Sequence, residues 1–210
     1  AWPTLIWQMY DYYYDVNGGY YGIKTGNQPI NFIWNPTNNQ MVLYNQTAND
    51  ETLKAVVEVY DLYGNQLYAN SFVKDMPSDS KENLMELTYP SDTSDLKFIK
   101  TYVENAQGEV VAEDFYWTNT EEYQDYTSLQ ELPQVDVSAG VTREADQDGS
   151  QVYTVRLENT SDTPAVMLRL KVMNSETGER VLPSFYSDNY FTMMPGEVKE
   201  VTIDFKESAL

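Results

Sequence analysis

The sequence predicts an all-β protein, in which two immunoglobulin-like antiparallel β-sandwiches follow a short, partly helical N-terminal segment. Three observations lead to this prediction. From about residue 30 onward, short apolar segments with strand-like alternation recur between turn residues, a pattern typical of antiparallel sandwiches. A polar stretch at 119–132 divides this strand-rich region in two. Residues 1–29 follow neither pattern, because they are rich in aromatic side chains instead.

The N-terminal segment concentrates tyrosines, with six of them between positions 10 and 21. A small domain does not bury so many aromatic rings alone, nor does it normally leave them in water. We therefore expect a partner surface for this segment, on the same parent protein or on another chain. Residues 20–27 have the pattern of a short helix, which Gly26 and Pro29 would end.

Residues 30–118 predict the first sandwich. Alternate positions of one predicted strand are apolar, and Val56 is the exception to the alternation: Leu53, Ala55, Val57, Val59. Tyr63-Gly64-Asn65 then predicts a hairpin turn into a strand beginning at Gln66. Residues 96–103 predict another strand, which the turn residues 105–108 connect to a strand ending near Trp117.

Residues 133–210 predict the second sandwich, after a linker at 119–132. Tyr153, Val155 and Leu157 share one face of a predicted strand. A second apolar face is predicted for alternate residues of the next strand: Val166, Leu168, Leu170, Val172. Residues 174–179 predict a hairpin loop, and Pro195-Gly196 predicts a turn before a last alternating strand. A unit of about 75 residues is small for independent stability, so we expect a packed neighbour.

The composition excludes several classes of function. The formal net charge is −20, which repels nucleic acid and anionic membranes and leaves both out as partners. The chain contains no His and no Cys, so it has no Ser-His-Asp triad, no His-ligated zinc, no thiol nucleophile and no disulfide. No apolar run approaches the roughly 20 residues that cross a bilayer. The acidity could attract a cationic polysaccharide, although solubility is the simpler explanation.

Three stretches resemble one family. Residues 2–13 (WPTLIWQMYDYY), residues 18–30 (GGYYGIKTGNQPI) and residues 182–197 (LPSFYSDNYFTMMPGE) are similar to the C-terminal region of glycoside hydrolase family 2 enzymes, in the exo-β-glucosaminidase and β-mannosidase branch. The resemblance implies that residues 1–29 are the last loop and helix of a (β/α)₈ barrel. It also implies that the catalytic carboxylates lie on barrel strands preceding Ala1, and that no position here matches them. No cofactor is implied, and the expected location is the bacterial periplasm or outside the cell.

The first and last residues of the sequence lead to two further expectations. The chain begins at Ala1 without an initiating Met or an apolar leader, which a fragment and a processed mature protein would share. It stops at Leu210, short of the final strand that the family resemblance implies. We therefore expect an open edge in the second sandwich.

The resemblance makes Trp2 the candidate sugar contact, because the loop after the last barrel strand approaches the terminal-sugar subsite in the family. The alternative is that Trp2 packs between barrel and sandwich; Tyr10 and Asp11 are weaker candidates. Asp188 with Asn189 could bind a cation or sugar hydroxyls, and residues 146–149 have a faint calcium-loop pattern. Local backbone hydrogen bonding and an ordinary hairpin turn are the simpler interpretations of these two. Glu121 with Glu122 resembles a paired carboxylate, but it lies in the linker, where the sequence indicates no pocket.

Three functions are compatible with these residues. The first is a non-catalytic accessory region that braces the catalytic barrel of a family 2 exo-β-glycosidase, most like an exo-β-glucosaminidase. The alternatives are a stand-alone carbohydrate-binding module and a surface adhesin. For the isolated chain, we expect residues 1–28 to be disordered or buried in a dimer contact.

Overall fold

The computed structural model describes residues 9–88, 96–119, 125–144 and 150–206. Trp2, the Glu121-Glu122 pair and residues 146–149 lie outside the described residues. The predicted all-β class is confirmed, since the described residues form several antiparallel sheets and few helical turns. Two compact units contain them. The boundaries between these units fall after Ile23 and after Leu132.

The first sandwich, residues 24–132, contains two sheets with the strand orders β1-β2-β5 and β4-β3-β6-β7. All neighbouring strands are antiparallel. The strands are β1 (Ile30–Asn35), β2 (Gln40–Asn45), β3 (Glu51–Asp61), β4 (Gln66–Met76), β5 (Ser80–Glu86), β6 (Leu96–Glu104) and β7 (Val110–Asn119). A 3₁₀ helix, Thr127–Glu131, follows β7.

The predicted pattern of the first sandwich is confirmed at its centre. The alternating residues 53, 55, 57 and 59 of β3 are fully buried in one core cluster. Val56 is buried as well, because β3 lies between β4 and β6 in the middle of its sheet. Gly64 and Gly108 take φ values of 88° and 80° at the predicted turns, a conformation that glycine adopts without steric cost.

The second unit contains residues 133–206 together with residues 9–23. Its sheets have the strand orders β11-β13-β9-β8 and β10-β12. The strands are β8 (Val137–Arg143), β9 (Ser150–Asn159), β10 (Ala165–Leu168), β11 (Ser184–Tyr186), β12 (Phe191–Met193) and β13 (Val198–Lys206). The N-terminal segment, which the sequence set apart as residues 1–29, divides in the structure. Its helix α1 (Gly18–Gly26) crosses the boundary between the units, and only residues 9–23 group with the second sandwich.

One predicted apolar face of the second sandwich needs correction. Leu168, Leu170 and Val172 pack against the core, as predicted. Val166 lies outside that cluster, and its neighbour Ala165 is fully buried instead. The register of β10 shifts between Ala165 and Leu168, and Met167 has a φ of 55°. An irregularity of this kind moves the following side chains to a different face, and alternation in the sequence does not reveal it.

The Pro195-Gly196 turn forms as predicted. Gly196 has a φ of 77°, and the N–H of Glu197 donates to the carbonyl of Met194 over 3.1 Å. The strand that follows buries Val201, Ile203 and Phe205 on one face. The strands on either side of the turn, β12 and β13, belong to different sheets, so the turn carries the chain from one layer of the sandwich to the other. Among the described residues, no helix is long and apolar enough to span a bilayer.

Candidate interaction surface

Residues 9–23 form a compact loop and the start of a helix. The Asp11 carboxylate accepts the backbone N–H groups of Tyr13 and Asp15, at 2.8 and 3.1 Å. Asn17 receives the N–H of Tyr20 on its side-chain oxygen at 3.1 Å, the capping arrangement that satisfies an unpaired donor at a helix start. Asp11, considered above as a sugar contact, therefore closes the loop through the backbone.

Asp15 connects this loop to the second sandwich through ion pairs. Its carboxylate forms ion pairs with Arg169, at 2.5 Å, and with Arg180. The Arg169 guanidinium also lies 5.1 Å from the ring centre of Tyr190. The Tyr190 hydroxyl in turn donates to the carbonyl of Val16 over 3.2 Å. One acidic side chain and one tyrosine thus connect the N-terminal loop to side chains more than 150 residues away in the sequence.

Tyr21 is the buried centre of this contact. Only 4% of Tyr21 is exposed, and its ring centre lies 6.1 Å from that of Tyr190. Burial is the main cause that raises the pKa of the Tyr21 hydroxyl, and the nearby Tyr186 and Asp188 add to the effect. The hydroxyl therefore stays protonated at physiological pH, and the buried ring packs at the centre of the contact.

A cleft of about 400 Å³ lies beside Tyr21 in the same unit. We call it the tyrosine cleft, and the aromatic side chains that line it are Tyr10, Tyr14, Tyr20, Tyr21, Phe185 and Tyr186. Tyr10 and Tyr14 stack with ring centres 6.0 Å apart. Tyr14 is 62% exposed and Phe185 is 64% exposed. Exposed aromatic side chains grouped around one cleft form a candidate surface for binding another protein or a ligand.

Asp188 and Asn189 have structural partners. Asn189 is buried; its side-chain oxygen accepts the N–H of Leu170 at 2.8 Å, and its amide nitrogen donates to the Leu170 carbonyl at 3.0 Å. Asp188 pairs with Lys199 at 3.0 Å. Within the described ranges, no group of three or more acidic side chains is placed to hold a metal ion. These two residues shape the fold, which was the simpler of the two interpretations.

No sequence pattern indicates the contact of Asp15 with Arg169 and Arg180. These residues are far apart in the chain, and each occupies an ordinary polar position. The tyrosine-rich composition of residues 10–21 did indicate a segment that needs a surface. The second sandwich of the same chain provides part of that surface. Dimerisation of the isolated chain through residues 1–28 stays a prediction.

The structure defines a class of protein: immunoglobulin-like antiparallel sandwiches joined to a tyrosine-rich N-terminal segment. Residues 115–210 match the family described as the exo-beta-D-glucosaminidase Ig-fold domain. The resemblance identified from the sequence is confirmed.

Similar proteins cover the remaining residues as well. The exo-beta-D-glucosaminidase of Amycolatopsis orientalis is 30% identical over 100% of this chain and 22% of its own length. That of Arthroderma benhamiae is 25% identical over 99% of this chain and 25% of its own length. Among solved structures, the A. orientalis exo-chitosanase CsxA superimposes with a TM-score of 0.88 at 29% identity, over 99% of this chain and 27% of that one. The beta-D-mannosidase from Dictyoglomus thermophilum, at 16% identity and a TM-score of 0.67, shares the fold. The chain spans about a quarter of the length of these relatives.

Proposed function

We propose that this chain is the non-catalytic C-terminal accessory region of a family 2 exo-β-glycosidase, most like an exo-β-glucosaminidase, and that it braces the catalytic barrel. The single observation that carries the proposal is the tyrosine cleft. Tyr10, Tyr14, Tyr20 and Phe185 are exposed around it, and the ion pairs of Asp15 hold the N-terminal loop against the second sandwich. An exposed aromatic surface held in this way is suited to packing against a large neighbouring domain.

The chemistry of the cleft supports a role in packing. Retaining glycosidases use two carboxyl groups about 5–5.5 Å apart on either side of the bond they cleave. The described residues that line the tyrosine cleft include no Asp and no Glu. Its lining is therefore suited to burial against apolar surface. In this proposal, the carboxylates that cleave a terminal amino sugar belong to the barrel.

The occupant of the cleft is the catalytic barrel of the same longer polypeptide. The cleft is built from the N-terminal loop, and in the relatives the matching region makes up only 22–26% of the whole protein. Chain that precedes this loop would lie close to the cleft. We further propose that Trp2 contacts the terminal sugar in the complete enzyme, and that the enzyme acts in the periplasm or outside the cell.

The first test is the mass of the native polypeptide, measured by immunoblotting cells of the source organism with antiserum against this chain. We expect a band on the order of 100 kDa, which includes a barrel, and no turnover of aryl β-glucosaminides by the chain alone. A band at 24.2 kDa, or appreciable turnover by this chain, would overturn the proposal.

The second test places substitutions in the full-length protein. Tyr14→Ser and Phe185→Ser should each lower its melting temperature and its glycosidase activity, because they remove apolar surface from the barrel contact. Tyr63→Ser is the matched control, since Tyr63 is 52% exposed at a hairpin turn of the first sandwich. Equal effects of the cleft and control substitutions would contradict a bracing role for the cleft.

A stand-alone carbohydrate-binding module is the second candidate function. The stacked and exposed rings of Tyr10 and Tyr14 favour it, because aromatic faces can pack against sugar rings. Affinity electrophoresis in gels containing chitosan or mannan separates the two functions. Retardation that Tyr14→Ser abolishes would support the binding module, whereas unchanged mobility agrees with the brace.

A further inference from the structure

The second sandwich has an incomplete layer. Among the described residues, one sheet contains four strands, whereas the facing sheet contains only β10 and β12. After β10, residues 169–173 continue along that layer without belonging to a named strand, and Met173 forms an isolated bridge with Arg180. We call residues 169–173 the edge segment. Its apolar side chains, Leu170 and Val172, pack against the core.

The backbone of the edge segment is satisfied on one side only. Leu170 exchanges both of its backbone hydrogen bonds with the Asn189 side chain. Val172 donates to the Tyr186 hydroxyl at 3.0 Å and accepts the N–H of Val181, also at 3.0 Å. Because neighbouring residues of an extended chain direct their N–H and C=O groups to opposite sides, Lys171 and Met173 direct theirs the other way. In the part of the chain that the structure describes, these four groups have no hydrogen-bond partner.

An apolar cleft of about 720 Å³ lies next to this free side. We call it the edge cleft. The edge segment lines one wall, and Val141, Tyr153, Val155 and Phe205 line the other. Val141 belongs to β8, the outermost strand of the four-stranded sheet, and is 64% exposed. An open apolar cleft of this size, between the edge segment and the four-stranded sheet, can accommodate further side chains.

We propose that an extended peptide strand adds to the Lys171 and Met173 edge and inserts alternate apolar side chains into the edge cleft. This is β-augmentation, in which main-chain hydrogen bonds provide affinity and side-chain pockets provide specificity. The occupant has basic or neutral polar residues at its outward positions. The cleft lining contains one charged residue of each sign, Lys171 and Glu176, so the preference comes from the net charge of −20, which repels an acidic strand and also a second copy of this chain.

The inference is independent of the proposed function, because the edge cleft and the tyrosine cleft share no lining residue. The probe is a synthetic, fluorescently labelled heptapeptide, Lys-Val-Thr-Val-Lys-Val-Thr, titrated into the whole chain and followed by anisotropy. We expect saturable binding together with slower amide hydrogen exchange at Lys171 and Met173. A peptide with the same composition but contiguous valines should bind at least about tenfold more weakly, as should one with Glu in place of Lys.

Two variants at one position make the test specific. Lys171→Pro removes an N–H that makes no bond within the described chain, so it should weaken peptide binding about tenfold or more. Lys171→Ala keeps that N–H and should bind like the original chain. Unchanged hydrogen exchange in β9 and β13 shows that both variants are folded.

Three results would overturn the inference. The first is the lack of saturable binding at millimolar peptide, and the second is equal affinity of Lys171→Pro and Lys171→Ala. The third is self-association that protects the Lys171 amide as protein concentration rises, because it would make a second copy the occupant.

Discussion

In each sandwich, a buried asparagine at the end of one strand donates hydrogen bonds to the facing sheet. We call Asn45 and Asn159 the bridging asparagines. Asn45 ends β2 in the first sandwich, and Asn159 ends β9 in the second. Both side chains are fully buried. The amide nitrogen of Asn45 donates to the carbonyls of Asn49 and Met76, at 2.8 and 3.1 Å. That of Asn159 donates to the carbonyls of Thr163 and Met193, at 2.9 and 3.1 Å.

The same side chains also organise the turn that follows each strand. The side-chain oxygen of Asn45 accepts the Thr47 hydroxyl at 2.7 Å, and that of Asn159 accepts the Ser161 hydroxyl at 2.6 Å. Each asparagine therefore holds its own turn and reaches a strand of the facing sheet, β4 or β12. One amide thereby fixes the distance between two layers.

The strand lengths and the core size around the bridging asparagines differ between the two sandwiches. In the first, β3 and β4 are each 11 residues long; in the second, the two strands of the shorter sheet, β10 and β12, have 4 and 3 residues. Among the described residues, the first core cluster contains fourteen buried hydrophobic residues and the second contains eight. The same side-chain connection between two layers is therefore compatible with sheets whose strands differ greatly in length. The smaller sandwich then gains further contacts from residues 9–23.

The bridging asparagines also belong to two sequence motifs that would otherwise suggest glycosylation. Asn45-Gln46-Thr47 and Asn159-Thr160-Ser161 both have the N-x-[ST] acceptor pattern. A glycan is attached to the amide nitrogen, and here that nitrogen is buried and donates two or more hydrogen bonds. The folded protein therefore offers neither asparagine for modification.

The largest expected effect on stability comes from replacing a bridging asparagine. Asn159→Ala and Asn45→Ala should each destabilise their own sandwich by about 2–4 kcal/mol, because buried carbonyls lose their partners. Hydrogen-exchange mass spectrometry in increasing urea reports the two units separately. Since the second sandwich has the smaller core, it should open at the lower denaturant concentration. Asn38→Ala, at an exposed position, is the control, and a loss as large as that of Asn159→Ala would contradict the assigned role.

An intermediate effect is expected from the contact that only the second unit has. Asp15→Asn should destabilise that unit by about 1–2 kcal/mol, because Arg169 and Arg180 would keep their charges without a carboxylate between them. Amide exchange in residues 9–23 should become faster, whereas the first sandwich should be unaffected. Glu158→Gln breaks the more exposed pair with Arg156, 3.0 Å long, and should change stability by about 0–0.5 kcal/mol. Equal effects of the two variants would argue against the contact.

The smallest effect is a difference in pH dependence that belongs to the first sandwich. Burial raises the pKa of the Asp114 carboxyl above its ordinary value, although the Tyr116 hydroxyl, 2.5 Å away, acts in the opposite direction. The folded state therefore holds this proton more tightly than the unfolded state does. The stability that Asp114 contributes is complete below its unfolded pKa, about 4, and is lost as pH rises through the higher folded value.

Asp114→Asn cannot lose a proton, so the variant should gain stability relative to the original chain as pH rises above about 4. Urea denaturation of both proteins from pH 3 to pH 7 measures this difference. Glu86→Gln, at an exposed position of β5, controls for the loss of one negative charge. A difference between Asp114→Asn and the original chain that stays constant with pH would contradict the assigned direction.

Sequence patterns predicted correctly those strands, turns and helices that depend on interactions between neighbouring residues. The alternation of β3 and β13, the turns at Gly64, Gly108 and Gly196, and the short helix near residue 20 all follow from neighbouring residues in the sequence. The irregularity at Met167 was missed, because a bulge depends on the partner strand. The equivalence of Asn45 and Asn159 was also missed, since the two segments share few other residues and the carbonyls they bind are far away in the sequence.

The sequence by itself determined the all-β class and the positions of most strands, since side-chain periodicity and turn chemistry are encoded locally. Its motifs also carried the resemblance to a glycosidase family. The sequence also indicated that the tyrosine-rich segment needs a surface. Only the tertiary structure decided which surface that is, how Asp15 reaches two arginines, and where the free edge at Lys171 lies. These features depend on contacts between residues that are distant along the chain. Their energies exist only after the backbone has brought the residues together, so no local pattern records them.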